Sequence, residues 1–396
     1  MDLKGTVESV KERAVEALPE RAKPWVPYLP LLYSVGGAVG GVVWSFLTAS
    51  RIDDASTTLS LAVTLTLLGL FVVLESRIRN KRIGHAWIEL KGERWAAFGV
   101  TFALSSLYNT VFVYYMTSAS NLKFALFGLL ILAGIGATRF VPDRLAGEHV
   151  RFVVLLVSVF SVFQFWIPLA TGSFGAWTFF AASFLAFLAT AFAFLLGELR
   201  PTEVYHRIRK IDDGGVGFFH WTHPLTIGIH GALWLGTILF LGFLHIAALI
   251  PPVPLALLDA GVFRDVERDH GQYVLSYEKP PLTAFWRTQD LPFRRRGSED
   301  VYFFTALFAP TGTSLGLVHH WQRWDDERGW VTDFKHTIDV TGGREGGFRA
   351  YTRKRAPAEG LWRVIVETDR GREIGRRKFR VVRGEGEVVL RERVVD

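Results

Sequence analysis

Seven stretches of roughly 20 mostly apolar residues fill the first 250 positions: 26–48, 56–75, 95–117, 122–140, 151–170, 174–198 and 225–249. A bilayer core about 30 Å thick is crossed by about 20 helical residues. In lipid the backbone must satisfy its own hydrogen bonds, and runs of this length do so as helices. Residues 25–250 are therefore expected to form a polytopic α-helical membrane bundle of about seven spans, with the lipid bilayer as partner. Links as short as TSASN and TGSFG join antiparallel neighbours. Trp25, Trp44, Trp95, Trp166 and Trp177 fall near span ends, where an interfacial aromatic belt belongs.

The distribution of Lys and Arg orients the bundle. The N-terminal segment and the loops at 76–94, 141–151 and 199–224 each carry two or more, whereas those around 49–55, 118–123 and 171–173 hold at most one. Basic loops stay on the cytoplasmic side. An odd number of spans then places the N-terminus in the cytoplasm and everything after residue 250 outside, which in a bacterial inner membrane is the periplasm. This map also accounts for much of the net charge of +7 and the pI near 9.6, so nucleic acid is not expected as a partner. Residues 1–24 are polar, mixed in charge and unlike a cleavable signal. Val7, Val10, Val15 and Leu18 fall roughly on one helical face, which suits a short amphipathic segment on the cytoplasmic surface; a frayed tail is the alternative. With no cysteine, disulfides, thiolate catalysis and cysteine-ligated metals are excluded.

Within the first span, SVGGAVGG sets Gly36 with Gly40 and Gly37 with Gly41 at i, i+4, a spacing that lets helix backbones approach closely. Ionisable groups in a bilayer are candidates for function. Glu75 and Glu198 end the second and sixth spans, and His206, His220, His223 and His230 lie in or after the loop that enters the seventh. Glu75, Glu198, His220, His223 and His230 form a candidate metal or proton-relay set near the cytoplasmic level. The competing reading makes Glu-x-Arg a snorkelling boundary pair and the histidines interface residues. No histidine-box pattern and no H-E-x-x-H is present, and the sequence names no cofactor. Ser105, Tyr108, Asn109 and Gln164 read as interhelical hydrogen-bonding groups, and DDGGVG (212–217) lacks the preceding strand of a phosphate cradle.

Composition changes after PPVPLALL. Residues 259–300 mix charges, prolines and aromatics, and 251–300 is expected to form a stalk or extra hairpin. Over 301–384, VYFFTALFAP, LGLVHHWQRW, WVTDFKHTIDV, FRAYTRK, LWRVIVETD and REIGRRKFRVV alternate with turn signals, which indicates a small all-β, immunoglobulin-like sandwich; 385–396 is left as a tail. The order H-x-W, V-x-GGR-x-x-G-F-R-x-Y, then G-x-WRV-x-VET-x-x-GR-x-IGR-x-x-F-x-V spans roughly residues 315–382. It involves His319, Trp321, Val340, Gly342, Gly343, Arg344, Gly347, Phe348, Arg349, Tyr351, Gly360, Trp362, Arg363, Val364, Gly371, Gly375 and Phe379. This pattern resembles the bacterial domain of unknown function 2914, and the seven-span part is similar to the membrane region called domain of unknown function 5924. The resemblance implies a fold and a location, and no activity.

The HHW stretch tests for chemistry. On a strand, Leu317, His319, Trp321 and Arg323 share one face and Val318, His320, Gln322 and Trp324 the other, so the two histidines cannot hold one metal ion. GTSLG (312–316) lacks the strand–turn–helix context of a nucleophile elbow and reads as a turn. A recognition face is expected from His319, Trp321, Arg344, Arg349, Tyr351, Trp362 and Arg363, since aromatics beside arginines suit an anionic glycan, a lipid head group or an acidic protein. A solvated strand face around a core tryptophan is the plainer alternative. Two functions compete: a non-enzymatic envelope protein displaying a binding domain, and a membrane-embedded metal-dependent enzyme or transporter built on the Glu/His set.

Overall fold

The computed structural model describes residues 21, 23–49, 54–79, 86–117, 143–198, 224–247, 249–250, 254–281, 287–344, 346–386 and 389–395. Most of the N-terminal amphipathic segment, the candidate span at 122–140, His206, His220, His223 and the DDGGVG loop lie outside them. Contacts divide the chain into two compact units, one gathering the helices and the other the strands together with the segment Pro168–Phe174.

The helical unit contains α1 (Leu29–Thr48), preceded by a 3-10 turn at Lys23–Tyr28, α2 (Ala55–Arg79), α3 (Ala86–Thr117), α4 (Asp143–Thr171), α5 (Ala176–Glu198) and α6 (Pro224–Ile246). Among the described residues, five helices are long and apolar enough to cross a membrane, and Leu32–Thr48 is a shorter sixth. Hydroxyls in these apolar helices are satisfied by a carbonyl one turn back: Thr101 by Ala97, Ser158 by Val154, Ser183 by Phe179 and Thr237 by Leu233, all at 2.7–2.9 Å. A polar residue that closes its own hydrogen bond need not face water.

The glycine pairs pack α1 against α3. A methyl group at Gly37 would lie 2.5 Å from the Phe98 carbonyl oxygen, and one at Gly41 would strike the Phe102 carbonyl and come within 2.9 Å of the Ser106 nitrogen. At Gly36 and Gly40 it would meet only aromatic ring atoms at 3.4–3.8 Å. Gly37 and Gly41 therefore carry the close approach. One turn further on, Asn109 Nδ2 donates to Ser45 Oγ at 2.7 Å, the interhelical bond expected of that residue. Ser158 Oγ donates to Tyr108 Oη at 3.4 Å, and Gln164 is buried.

The β unit contains eleven strands among the described residues: β1 (Ala256–Phe263), β2 (Asp265–Asp269), β3 (Gln272–Glu278), β4 (Phe293–Arg295), β5 (Val301–Phe308), β6 (Ser314–Asp325), β7 (Gly329–Thr341), β8 (Phe348–Lys354), β9 (Gly360–Thr368), β10 (Glu373–Arg383) and β11 (Leu390–Val395). The residues read as a stalk or hairpin supply β1–β4, and the tail supplies β11. Three sheets form, in the orders β1-β5-β8, β4-β10-β9-β6-β7 and β11-β3-β2. The first two enclose the main core of Val262, Phe303, Leu317, Trp321, Trp362, Val364 and Phe379. The third adds a second apolar cluster, in which Val266, Tyr273 and Leu275 meet Phe304 and Ala306. β5 is thus buried on both faces, which explains why VYFFTALF is apolar without alternation. The architecture extends the expected two-sheet sandwich by a layer.

Much of the motif that carries the resemblance is explained by this packing. Val340, Trp362, Val364 and Phe379 fill the core. Gly342 sits where a methyl group would strike the Pro310 carbonyl, and Gly343 adopts φ +90. These positions build the fold.

Candidate functional site

In the helical unit, Glu75 forms a buried ion pair with Arg151 of α4, Nε to Oε1 at 3.7 Å. Glu198, at the end of α5, is buried as well. His230 of α6 is completely buried and its Nε2 lies 3.0 Å from Nδ1 of His149, a residue that nothing in the sequence singles out. Phe194 and Trp234 rings stand 4.4 Å and 5.7 Å from the His230 ring. Two imidazoles so placed share one hydrogen bond, in which one ring donates and the other accepts. Of the candidate set, Glu75, Glu198 and His230 are described; His220 and His223 are not. Among the described residues no group of three or more His, Asp or Glu is arranged to hold a metal ion.

The β unit separates the two adjacent histidines, as strand alternation requires. His319 points into the core and is fully buried. Its Nε2 lies 3.0 Å from Thr305 Oγ1 and its Nδ1 3.0 Å from Thr352 Oγ1, which also accepts the Trp321 indole N–H at 3.0 Å. One proton assignment places every donor. Trp321 donates to Thr352, Thr352 to His319 Nδ1, His319 Nε2–H to Thr305, and Thr305 to the Ala350 carbonyl at 3.4 Å. The chain needs a neutral ring, and burial lowers the His319 pKa to about 3.

His320 points to the opposite, outer face of the five-stranded sheet and opens a second network. Arg363 Nε donates to Gln322 Oε1 at 2.6 Å, which fixes the amide with its NH2 toward His320 Nε2 at 3.0 Å. Thr332 Oγ1 approaches the same nitrogen at 2.8 Å. His320 Nδ1 faces Glu367 Oε1 at 3.3 Å, and Lys335 Nζ donates to that oxygen at 3.0 Å. Desolvation lowers the His320 pKa, Lys335 and Arg363 push in the same direction, and Glu367 opposes them. Thr332, His320 and Glu367 thereby take the order of a hydroxyl–imidazole–carboxylate relay. The hydroxyl stands in mid-strand, without the helix N-terminus or turn that would aim backbone N–H groups at an oxyanion, so the arrangement favours positioning over acyl transfer. The network is roofed by aromatics: the Arg363 guanidinium lies 4.2 Å from the Trp330 ring centroid, Lys378 Nζ 5.7 Å from it, and Trp324 meets Trp330 edge-on at 5.3 Å.

The seven residues expected to share one recognition face do not. His319, Trp321 and Trp362 are core residues with at most 1% of their surface exposed. Arg363 lies on the outer face. Arg349 and Tyr351 belong to β8 of another sheet, where Tyr351 neighbours Tyr302 and Tyr273, and Arg344 sits in a turn over the Phe348 ring. Trp321 and Trp362 belong to the inward half of the alternation, since apolar bulk is what a core takes. The parity signal already grouped His320, Gln322 and Trp324; what sequence could not supply was the arrival of Arg363, Glu367 and Lys378 from β9 and β10.

Residues 316–381 match the family model described as protein of unknown function (DUF2914). No curated protein matches. Among solved structures, the chain is 12% identical to the Pseudomonas fluorescens alkylpurine DNA glycosylase AlkC bound to DNA containing an abasic site analog. That alignment covers 93% of this chain and 100% of the other at a TM-score of 0.18, too low to relate the folds.

Proposed function

We propose that this chain is an integral protein of a bacterial inner membrane, with seven spans and a cytoplasmic N-terminus, that holds its β unit in the periplasm as a non-enzymatic recognition domain for an envelope protein or glycan. The helical region's similarity to domain of unknown function 5924 belongs to the same reading. Lipid contact is supported by the large apolar side chains that the helices turn outward, among them Phe46 at 73%, Leu47 at 79% and Ile246 at 85% exposed. Contiguous apolar surface of this kind suits hydrocarbon and not water.

The observation that carries the orientation lies within the second unit. Arg370 Nη1 donates to the Phe174 carbonyl at 3.0 Å, and Phe174 packs against the β core. Phe174 follows α4 in the link TGSFG, which has no Lys or Arg and so is assigned to the side away from the basic loops. A loop and a domain in contact share one side of a bilayer. Alkaline phosphatase fused after Asp396 is expected to be active and a fused green fluorescent protein dark. The reverse pattern would overturn the proposal.

A second reading, a membrane-embedded metal-dependent enzyme or transporter, is favoured by one observation, the pairing of the buried His230 with His149. Stoichiometric zinc or iron in purified protein, lost on His230→Ala, would support it over the first.

A further inference from the structure

We infer that the outer face of the five-stranded sheet is the binding surface of the β unit and that its occupant is an anionic polysaccharide, with acidic groups on Arg363, Lys378 and Arg380 and a sugar ring against Trp324. The inference rests on the recognition role proposed above and adds to it the surface and the chemical class of ligand.

The face carries more positive charge than it uses. Lys335, Arg363, Arg376, Lys378 and Arg380 stand against Glu367, Glu373 and Asp339. Lys335 is spent on Glu367 at 3.0 Å and Arg376 on Glu373, Nε to Oε1 at 2.7 Å. The other three cations are held differently. Arg363 is braced by Gln322 and stacked over Trp330, Lys378 lies over the same ring, and Arg380 alternates outward between the core residues Phe379 and Val381. Among the described residues none of these three has an ion-pairing carboxylate within bonding distance. Cations held by a ring and an amide keep their charge available to an incoming anion, whereas those held by carboxylates do not.

The spacing forms a stripe. Lys378 is the register partner of Arg363 on the adjacent strand, so their backbones are about 5 Å apart, and Arg380 follows Lys378 at about 7 Å along β10. The stripe is preorganised, because Gln322, His320 and Glu367, each at most 9% exposed, lock the Arg363 side of it. At its margin Trp324 leaves 42% of its surface open, its Nε1 donating to Asp326 Oδ1 at 3.1 Å and its ring meeting Trp330, the ring that carries Arg363 and Lys378; such a flat apolar plate matches the C–H face of a sugar ring. Other occupants fit less well. Trp324 is the one large apolar side chain that this face exposes among the described residues of β6, β9 and β10, whereas a membrane-binding surface buries a continuous apolar face. An acidic strand would seek the open edge of β7, and that edge is guarded by Asp333, Lys335 and Asp339.

Detergent-purified full-length protein is titrated with alginate oligomers, with neutral dextran, polyglutamate and phosphatidylglycerol vesicles as the other arms. Alginate is expected to bind and dextran not to, and binding should weaken as salt rises from about 0.1 M to 1 M and the screening length falls from about 10 Å to 3 Å. The exposed double variant Lys378→Glu/Arg380→Glu should lose about 10-fold or more in affinity, and Trp324→Ala about five-fold, with unfolding midpoints unchanged. The inference is overturned if alginate fails to bind, if these variants leave its affinity unaltered, or if polyglutamate or the vesicles bind as tightly as alginate. Because orientation is read separately by the fusion reporters, a periplasmic β unit that ignores alginate would sink this inference alone.

Discussion

The neutral state of His319 makes a quantitative prediction about acid. Its ring is buried among Phe303, Trp321 and two threonines, and its pKa falls from an ordinary 6.5 to about 3 in the folded protein. Between those values the unfolded chain binds a proton that the folded chain refuses, so stability rises with pH in this window and is lost as pH falls through it. Holding the ring neutral costs about 1.36 kcal/mol for every pH unit below 6.5, which makes the full loss about 5 kcal/mol near pH 3, about 2.7 kcal/mol at pH 4.5 and about 1.4 kcal/mol at pH 5.5. Carboxylates elsewhere also titrate there, so the quantity to measure is a difference. His319→Gln keeps a donor and an acceptor for Thr305 and Thr352 but does not titrate. Urea unfolding of both proteins, followed by the near-ultraviolet dichroism of buried tryptophans, should show wild type ahead at pH 7.5. Its lead should shrink by about 1.4 kcal/mol at pH 5.5 and about 2.7 kcal/mol at pH 4.5. A lead that stays constant across this range, or an imidazole resonance titrating near 6.5, would refute the burial argument.

Asp290 should behave with the opposite sign. Burial raises its pKa from 3.8 to about 6, so it destabilises the fold increasingly as pH climbs from 3.8 to 6, and Asp290→Asn should gain up to about 3 kcal/mol at neutral pH in the same urea assay. Thr352→Val removes the hydroxyl that serves both Trp321 Nε1 and His319 Nδ1 and should cost about 2–4 kcal/mol. Gly41→Ala drives a methyl group into the Phe102 carbonyl and should lower the thermal midpoint of the helical unit by an amount equivalent to about 1–3 kcal/mol, whereas Gly36→Ala, with its nearest contact at 3.8 Å, should stay within about 0.5 kcal/mol.

What sequence could and could not show follows from how local each feature is. An apolar helix long enough to cross a bilayer is a property of about 20 consecutive residues, so α2, α3, α4, α5 and α6 were legible from composition alone. The i, i+4 glycines announced a close contact, but their partners Phe98 and Phe102 lie in a different helix and no local rule names them. Strand alternation correctly divided His319 from His320. It could not reveal that residues 390–395 pair with 273–278, because that register joins segments far apart in the chain. The tail LRERVV carries three consecutive charges, Arg391, Glu392 and Arg393, and is largely exposed, which is also how an unstructured end looks. The pair His149–His230 escaped for the same reason: the two rings meet across 81 positions.

Most of the resemblance motif lies on the inner side of the strands whose outer side is the candidate surface, and Arg363 belongs to both. In β9, Trp362, Val364 and Val366 turn inward and supply the core, while Arg363 and Glu367 belong to the outer network. β10 divides likewise, with Phe379 and Val381 inside and Lys378 and Arg380 outside. A strand's period of two forces this separation, since every residue that packs the core commits its neighbours to the opposite face. The inner half is constrained by volume, which is why substituting His319 or Thr352 should be felt as stability. The outer half is constrained by charge and hydrogen bonding and can be altered at Trp324, Lys378 or Arg380 without opening a cavity. A ligand surface on such a sheet should therefore be separable from the fold by mutation, and the sequence that identifies the fold best carries the least information about what the surface binds.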